Sequence, residues 1–156
     1  MPREIAIVGL FFHIPAAVIW VGGMFFAHQM LRPAAVKLAP AERLPLWRRV
    51  FARFFPTVWG VVALLAASGY GMVIWGYGGF AHLPLHVDIM QTIGIIMVLA
   101  FGHLYFAPWK RFRRAVDAGD FASAAPQLDQ IRRIVAFNLV LGLAVVVIGA
   151  TGRYWG

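Results

Sequence analysis

The chain has 156 residues, of which 62% are hydrophobic and 13% charged, with a formal net charge of +8 and a mean hydropathy of +0.77. A chain so apolar is excluded from the soluble globular class and belongs in a lipid bilayer. With no cysteine, a disulfide framework, an iron–sulfur cluster, a thiolate metal site and c-type haem attachment are excluded as well, so any ligand comes from histidine, methionine, carboxylate or backbone oxygen.

Four apolar runs, at about 5–28, 55–76, 87–108 and 134–152, are each long enough to cross roughly 30 Å of hydrocarbon as a helix. Strands with open edges would leave backbone groups unpaired in lipid, so the predicted fold is an all-α four-helix transmembrane bundle in one domain spanning 1–156. The first run is too long for a signal-peptide core and is read as helix one. Pro56 is expected in the first turn of helix two, and Pro33 and Pro108 are expected to close helices one and three. Between Gly119 and Val135 the sequence GDFASAAPQLDQIRRIV carries Asp120 or Ser123 as an N-cap, with Leu128, Ile131 and Val135 at helical spacing. This predicts an amphipathic extension of helix four.

The charge is a topology signal rather than a nucleic-acid footprint. Arg32, Lys37, Arg43, Arg48, Arg49 and Arg53 lie between helices one and two, and Lys110, Arg111, Arg113, Arg114, Arg132 and Arg133 between helices three and four. By the positive-inside rule both basic connections face the cytoplasm of a bacterial-type inner membrane and both termini face outward. Trp75, Tyr77, Tyr154 and Trp155 then form the outer aromatic belt, with Trp47, Tyr105 and Trp109 at the inner one.

A shift of 75 residues lays Phe26, His28 and Pro33 on Phe101, His103 and Pro108, and a shift of about 84 lays Arg48-Arg49 on Arg132-Arg133, with Ser68-Gly69 near Thr151-Gly152. The pattern is that of a duplicated helical hairpin with a parallel repeat. It predicts His28 and His103 at one depth, facing each other as axial ligands of a haem b, with Arg53, Arg132 and Arg133 placed to pair with its propionates. On helix one, His13, Trp20, Met24 and His28 lie within about 80° of one another and form one stripe toward the bundle. Trp20, Met24, Met72 and Met97 read first as core packing. At the outer mouth of helix three, HLPLHVD brings His82, His86 and Asp88 together; with His13 and methionines such as Met24 or Met90 they make an alternative copper site. No nucleophile–base pair, phosphate loop or carboxylate pair supports hydrolytic chemistry.

H-I-P-A-A-V-I-W-V-G-G from His13, R-F-F-P-x-x-W at 53–59, S-G-Y at 68–70, G-H-x-Y-F-x-P-W at 102–109 and I-R-R-x-x-x-x-N-L-x-L-G at 131–142 resemble the membrane domain of copper-resistance protein D. More distantly the chain is similar to the HemJ-type protoporphyrinogen oxidases, whose first-helix H-x6-W matches His13 and Trp20 and whose third-helix histidine matches His103. Their third-helix lysine has no counterpart between Val87 and Pro108, and their pattern has no match to His28. The function expected is haem-based electron transfer or porphyrin redox chemistry, carried out as a membrane oxidoreductase with a quinone or protein redox partner and a homodimeric assembly. Copper binding or transport is the alternative, and a structural or assembly role without cofactor the third.

Overall fold

The computed structural model describes residues 1–155, with the side chain of His82 outside the described residues. Helix α1 (Arg3–Phe25) runs on through a π-helical stretch, Phe26–Leu31, and a last turn, Arg32–Ala35. Helix α2 (Pro40–Gly71) ends in π-helical Met72–Gly76; a 3-10 turn at Phe80–His82 leads to α3 (Leu85–Phe106), α4 (Pro108–Asp117) and α5 (Phe121–Thr151), closed by a 3-10 turn at Gly152–Tyr154. No strand occurs among the described residues. Four continuous stretches, Arg3–Ala35, Pro40–Gly76, Leu85–Asp117 and Phe121–Tyr154, are long and apolar enough to cross a membrane.

Each helix outlasts its apolar run. Helix α2 starts at Pro40, not near residue 55, because its first turns are amphipathic: Leu44, Trp47 and Phe51 are buried on one face while Arg49 and Arg53 are exposed on the other. Pro56 therefore sits inside α2 rather than in its first turn. Pro33 does not close α1 either. Proline has no N–H for the carbonyl four residues back and its ring crowds that carbonyl; the backbone upstream widens into π turns, Arg32 N–H reaches Ala27 O, and helix continues to Ala35. Pro108 acts as expected, since α3 stops at Phe106, Ala107 takes φ −113° and ψ −84°, and the proline opens α4.

Helix α1 lies along α2, and α3 and α4 lie along α5; the two hairpins meet where α1 packs on α5. Between α2 and α3 the space is filled by rings instead. Phe51 and Phe55 stack at 4.8 Å, and Phe55 meets Phe101 at 5.8 Å and Trp109 at 5.3 Å, while Trp59 lies 5.1 Å from Phe101. Such offset and edge contacts add to packing beyond their area. At the basic end Arg48 grips Asp117 through Nε at 3.1 Å and Nη2 at 3.2 Å, tying α2 to the end of α4. On the outside, Phe11, Leu99 and Val140 are 70%, 67% and 67% exposed, side chains that acyl chains solvate.

Part of the burial pattern follows the expected repeat. Eighty-four residues on, Leu44, Trp47, Phe55 and Val58 of α2 become Leu128, Ile131, Leu139 and Gly142 of α5, and all eight are buried. For the first helices of the hairpins a shift of 77 lays buried Trp20, Met24 and Ala27 on buried Met97, Phe101 and Leu104. The shift of 75 pairs Phe26, 60% exposed, with Phe101, 3% exposed, so the shared F-[A/G]-H frame does not hold one orientation to the core.

Asp120 is the N-cap of α5, accepting the Ser123 backbone N–H at 3.0 Å. Hydrogen bonds from Ser123, its hydroxyl first and then its backbone N–H, hold the Asp120 carboxyl below its ordinary value. A depressed folded-state pKa stabilises the folded form above the unfolded value and loses that contribution as pH falls through the folded one. Amide exchange at Ser123 should stay slow through mildly acid pH and accelerate only below the ordinary carboxylate range; in Asp120→Asn that pH step should vanish.

Candidate functional site

At the end of the bundle where α1 begins and α5 ends, each hairpin seats one imidazole on a glycine of its second helix. In the first hairpin, the Ser68 hydroxyl gives its single proton to Leu64 O at 2.7 Å, so its oxygen accepts from His13 Nδ1–H at 2.9 Å. That bond selects the tautomer with a free lone pair on Nε2, the form in which histidine binds a metal. Gly69 makes the approach feasible, because a Cβ there would stand 3.2 Å from His13 Cε1. One turn further along the same groove, the Met72 side chain lies over Gly9, where any Cβ would strike its Cγ and Sδ. A groove of about 360 Å³ opens beside them, lined by Gly9, Ser68, Met72, Glu4 and Trp75.

The second hairpin repeats the device. Thr151 donates to Val147 O at 2.8 Å as Ser68 does to Leu64 O, and Gly152 receives His86, whose Cβ and Cγ a methyl at that position would strike. Met90, one turn along α3, packs on Gly149, with Cε 3.1 Å and Sδ 3.5 Å from where a Cβ would stand. Trp155 closes over the ring edge-on at 6.5 Å. Each hairpin thus presents an imidazole and a thioether one turn apart.

Among the described residues no three His, Cys, Asp or Glu side chains come together. Asp88 is exposed, its carbonyl taken by Thr92, and His13 and His86 sit in separate hairpins. The side chain of His82 lies outside the described residues.

At the basic end, a cavity of about 360 Å³ is lined by His28, Arg32, Trp47, Phe54 and Arg132. Trp20 and Met24 are buried and His13 and His28 half-buried, so the predicted stripe on α1 does face the bundle. His103 is exposed, on the side of α3 away from buried Phe101 and Leu104. His28 lines this cavity, and His103 is not among its walls. Of the three arginines expected near it, Arg132 lines the cavity and bonds Asp129 at 3.0 Å, whereas Arg53 and Arg133 are exposed. Sequence reasoning missed the two glycine seats, the pairing of Met72 with His13, and Trp47. The signal for the seats was already there, since Ser68-Gly69 and Thr151-Gly152 share a place in the repeat.

Four helices long and apolar enough to cross a membrane, with large apolar side chains on their outer faces, define a multi-pass integral membrane protein. The family model for copper resistance protein D (CopD) matches residues 48–151, and the chain belongs to that family of copper-resistance-related membrane proteins. The match covers α2 from Arg48 onward and all of α3, α4 and α5, with Gly69, His86, Met90 and Arg132, and leaves α1 with His13 and His28 outside it. Comparison with curated proteins and with solved structures finds no match.

Proposed function

We propose that the protein handles copper within the membrane, holding Cu(I) through imidazole and thioether donors: His13 with Met72 in the first hairpin and His86 with Met90 in the second. The observation that carries this is the repeated seating of one histidine and one methionine per hairpin on glycines of the partner helix. The donor chemistry fits, because soft thioethers and neutral imidazoles favour Cu(I) and the chain offers no thiolate to compete. By the positive-inside rule the basic end faces the cytoplasm, so copper meets these donors from the outer side.

Competition against a chromophoric Cu(I) chelator tests it on the purified protein. His13→Ala and His86→Ala should each release one copper relative to the wild type, and the double variant should release both; a double variant that binds as tightly as the wild type would sink the proposal. Ser68→Ala frees His13 Nδ1 and unlocks the tautomer, and should weaken the first site by about 10- to 100-fold, the usual cost of losing an outer-shell partner. Haem b through His28 and His103 has less support, because only one of those imidazoles faces the cavity.

A further inference from the structure

The seam between α2 and α4 gathers more accessible cations than the protein neutralises. Among the described residues the ion pairs are Arg48 with Asp117 and Arg132 with Asp129. Arg49 and Arg53 on α2 and Lys110 and Arg113 on α4 are exposed and pair with none of the described acids. Ring contacts put them at one height. Trp109 meets Phe51 at 6.0 Å and Phe55 at 5.3 Å; Arg53 stands between those two in sequence, and Lys110 follows Trp109. Arg48, next to Arg49, crosses the same seam to Asp117, its guanidinium carbon 5.8 Å from the Trp109 ring centre. Like charges held at one height on neighbouring helices repel one another, and a bound anion relieves them.

The rings on the membrane side of these cations say which anion. Trp59 lies 5.7 Å from Tyr105 and 6.1 Å from Phe106, and Phe106 is 58% exposed, the aromatic rim of an interfacial belt. Lys110 turns back toward that rim, its Nζ 5.2 Å from the Phe106 ring centre, so its charge stands at the level where headgroups meet acyl chains. We infer that this exposed seam is a preferred surface for anionic phospholipids of the leaflet on the basic side, with Arg49, Arg53, Lys110 and Arg113 toward the phosphates and Trp59 and Phe106 against the start of the chains. A phosphodiester supplies both the acceptor oxygens and the charge, whereas a zwitterionic lipid brings its own cation. An acidic segment in the aqueous phase would meet the same cations but not the rings.

The test uses delipidated protein in detergent, titrated with short-chain phosphatidylglycerol and read by native mass spectrometry. Binding at least about tenfold tighter than for short-chain phosphatidylcholine is expected. Arg53→Gln and Lys110→Gln should each weaken it about fivefold, the scale of one cation at an anionic membrane surface, and the double variant by about twentyfold. All three residues involved in these variants and their control are exposed, so the folds should survive. The control is Lys37→Gln, a cation of the α1–α2 connection outside the seam, expected to weaken binding by less than about twofold. The inference is overturned if phosphatidylcholine binds as tightly, if the double variant binds like the wild type, or if Lys37→Gln costs as much as Lys110→Gln, which would make net charge rather than the seam responsible. An oligoglutamate peptide that binds more tightly than phosphatidylglycerol, and loses that affinity in the double variant, would give the surface to an acidic protein and overturn it too.

Discussion

Phe55→Ala should cost about 3 to 5 kcal/mol of stability, the range for deleting a fully buried ring. Phe55 is 1% exposed and is the point where the rings of α2 meet those of α3 and α4: it stacks on Phe51 with planes 8° apart and presents its edge or face to Phe101, Tyr105 and Trp109. In lipid, transfer from water does not drive helices together, and the acyl chains are as apolar as the core. What remains is close packing, so an empty space at Phe55 removes the attraction that joins α2 to α3. Denaturant titration of the purified protein checks this against Phe11→Ala, whose ring is 70% exposed and whose loss should change stability by less than about 0.5 kcal/mol. Equal losses in the two variants would show that the ladder does not hold the hairpins together.

Gly152→Ala should destabilise the second hairpin by about 1 to 3 kcal/mol and abolish copper binding at the site proposed for His86 and Met90. The added methyl meets the Cβ of His86, an atom fixed by the α3 backbone that no rotamer change can withdraw, so α3 and α5 must move apart. Gly69→Ala is the milder change. Its methyl would stand 3.2 Å from Cε1 of His13, at the far end of a ring that can tilt by a few tenths of an ångström. It should leave the fold nearly intact while stretching the Nδ1 to Ser68 bond, so first-site affinity falls more than stability does. Thermal unfolding and chelator competition on the two variants would reveal the order; a greater loss of stability in Gly69→Ala would mean that the seats are not built as described.

Much of the fold was legible because a bilayer tolerates few solutions. Long apolar runs must be helices, basic residues collect at one end, and the spacing of His13, Trp20, Met24 and His28 marks an inward stripe that the structure keeps. Less was legible wherever several backbone responses suit one residue. Pro33 reads as a stop, yet π turns absorb it; Pro56 reads as a start, yet amphipathic turns precede it because apolarity is not required where a helix leaves the lipid. The repeated F-[A/G]-H frame implied equivalent histidines, but His28 lies in π turns and lines a cavity, while His103 lies on a regular α-helix and is exposed.

By itself, then, the sequence determined the number of apolar helices and the end at which the basic residues collect, because these follow from hydrophobicity and charge summed over many residues. Only the tertiary structure decided which histidines are seated by a partner helix, which arginine faces the cavity, and that Lys110 turns back over Phe106. Those outcomes turn on how closely the partner helices approach at Gly69 and Gly152 and on one helix's rotation about its axis, quantities set by the packing of distant segments.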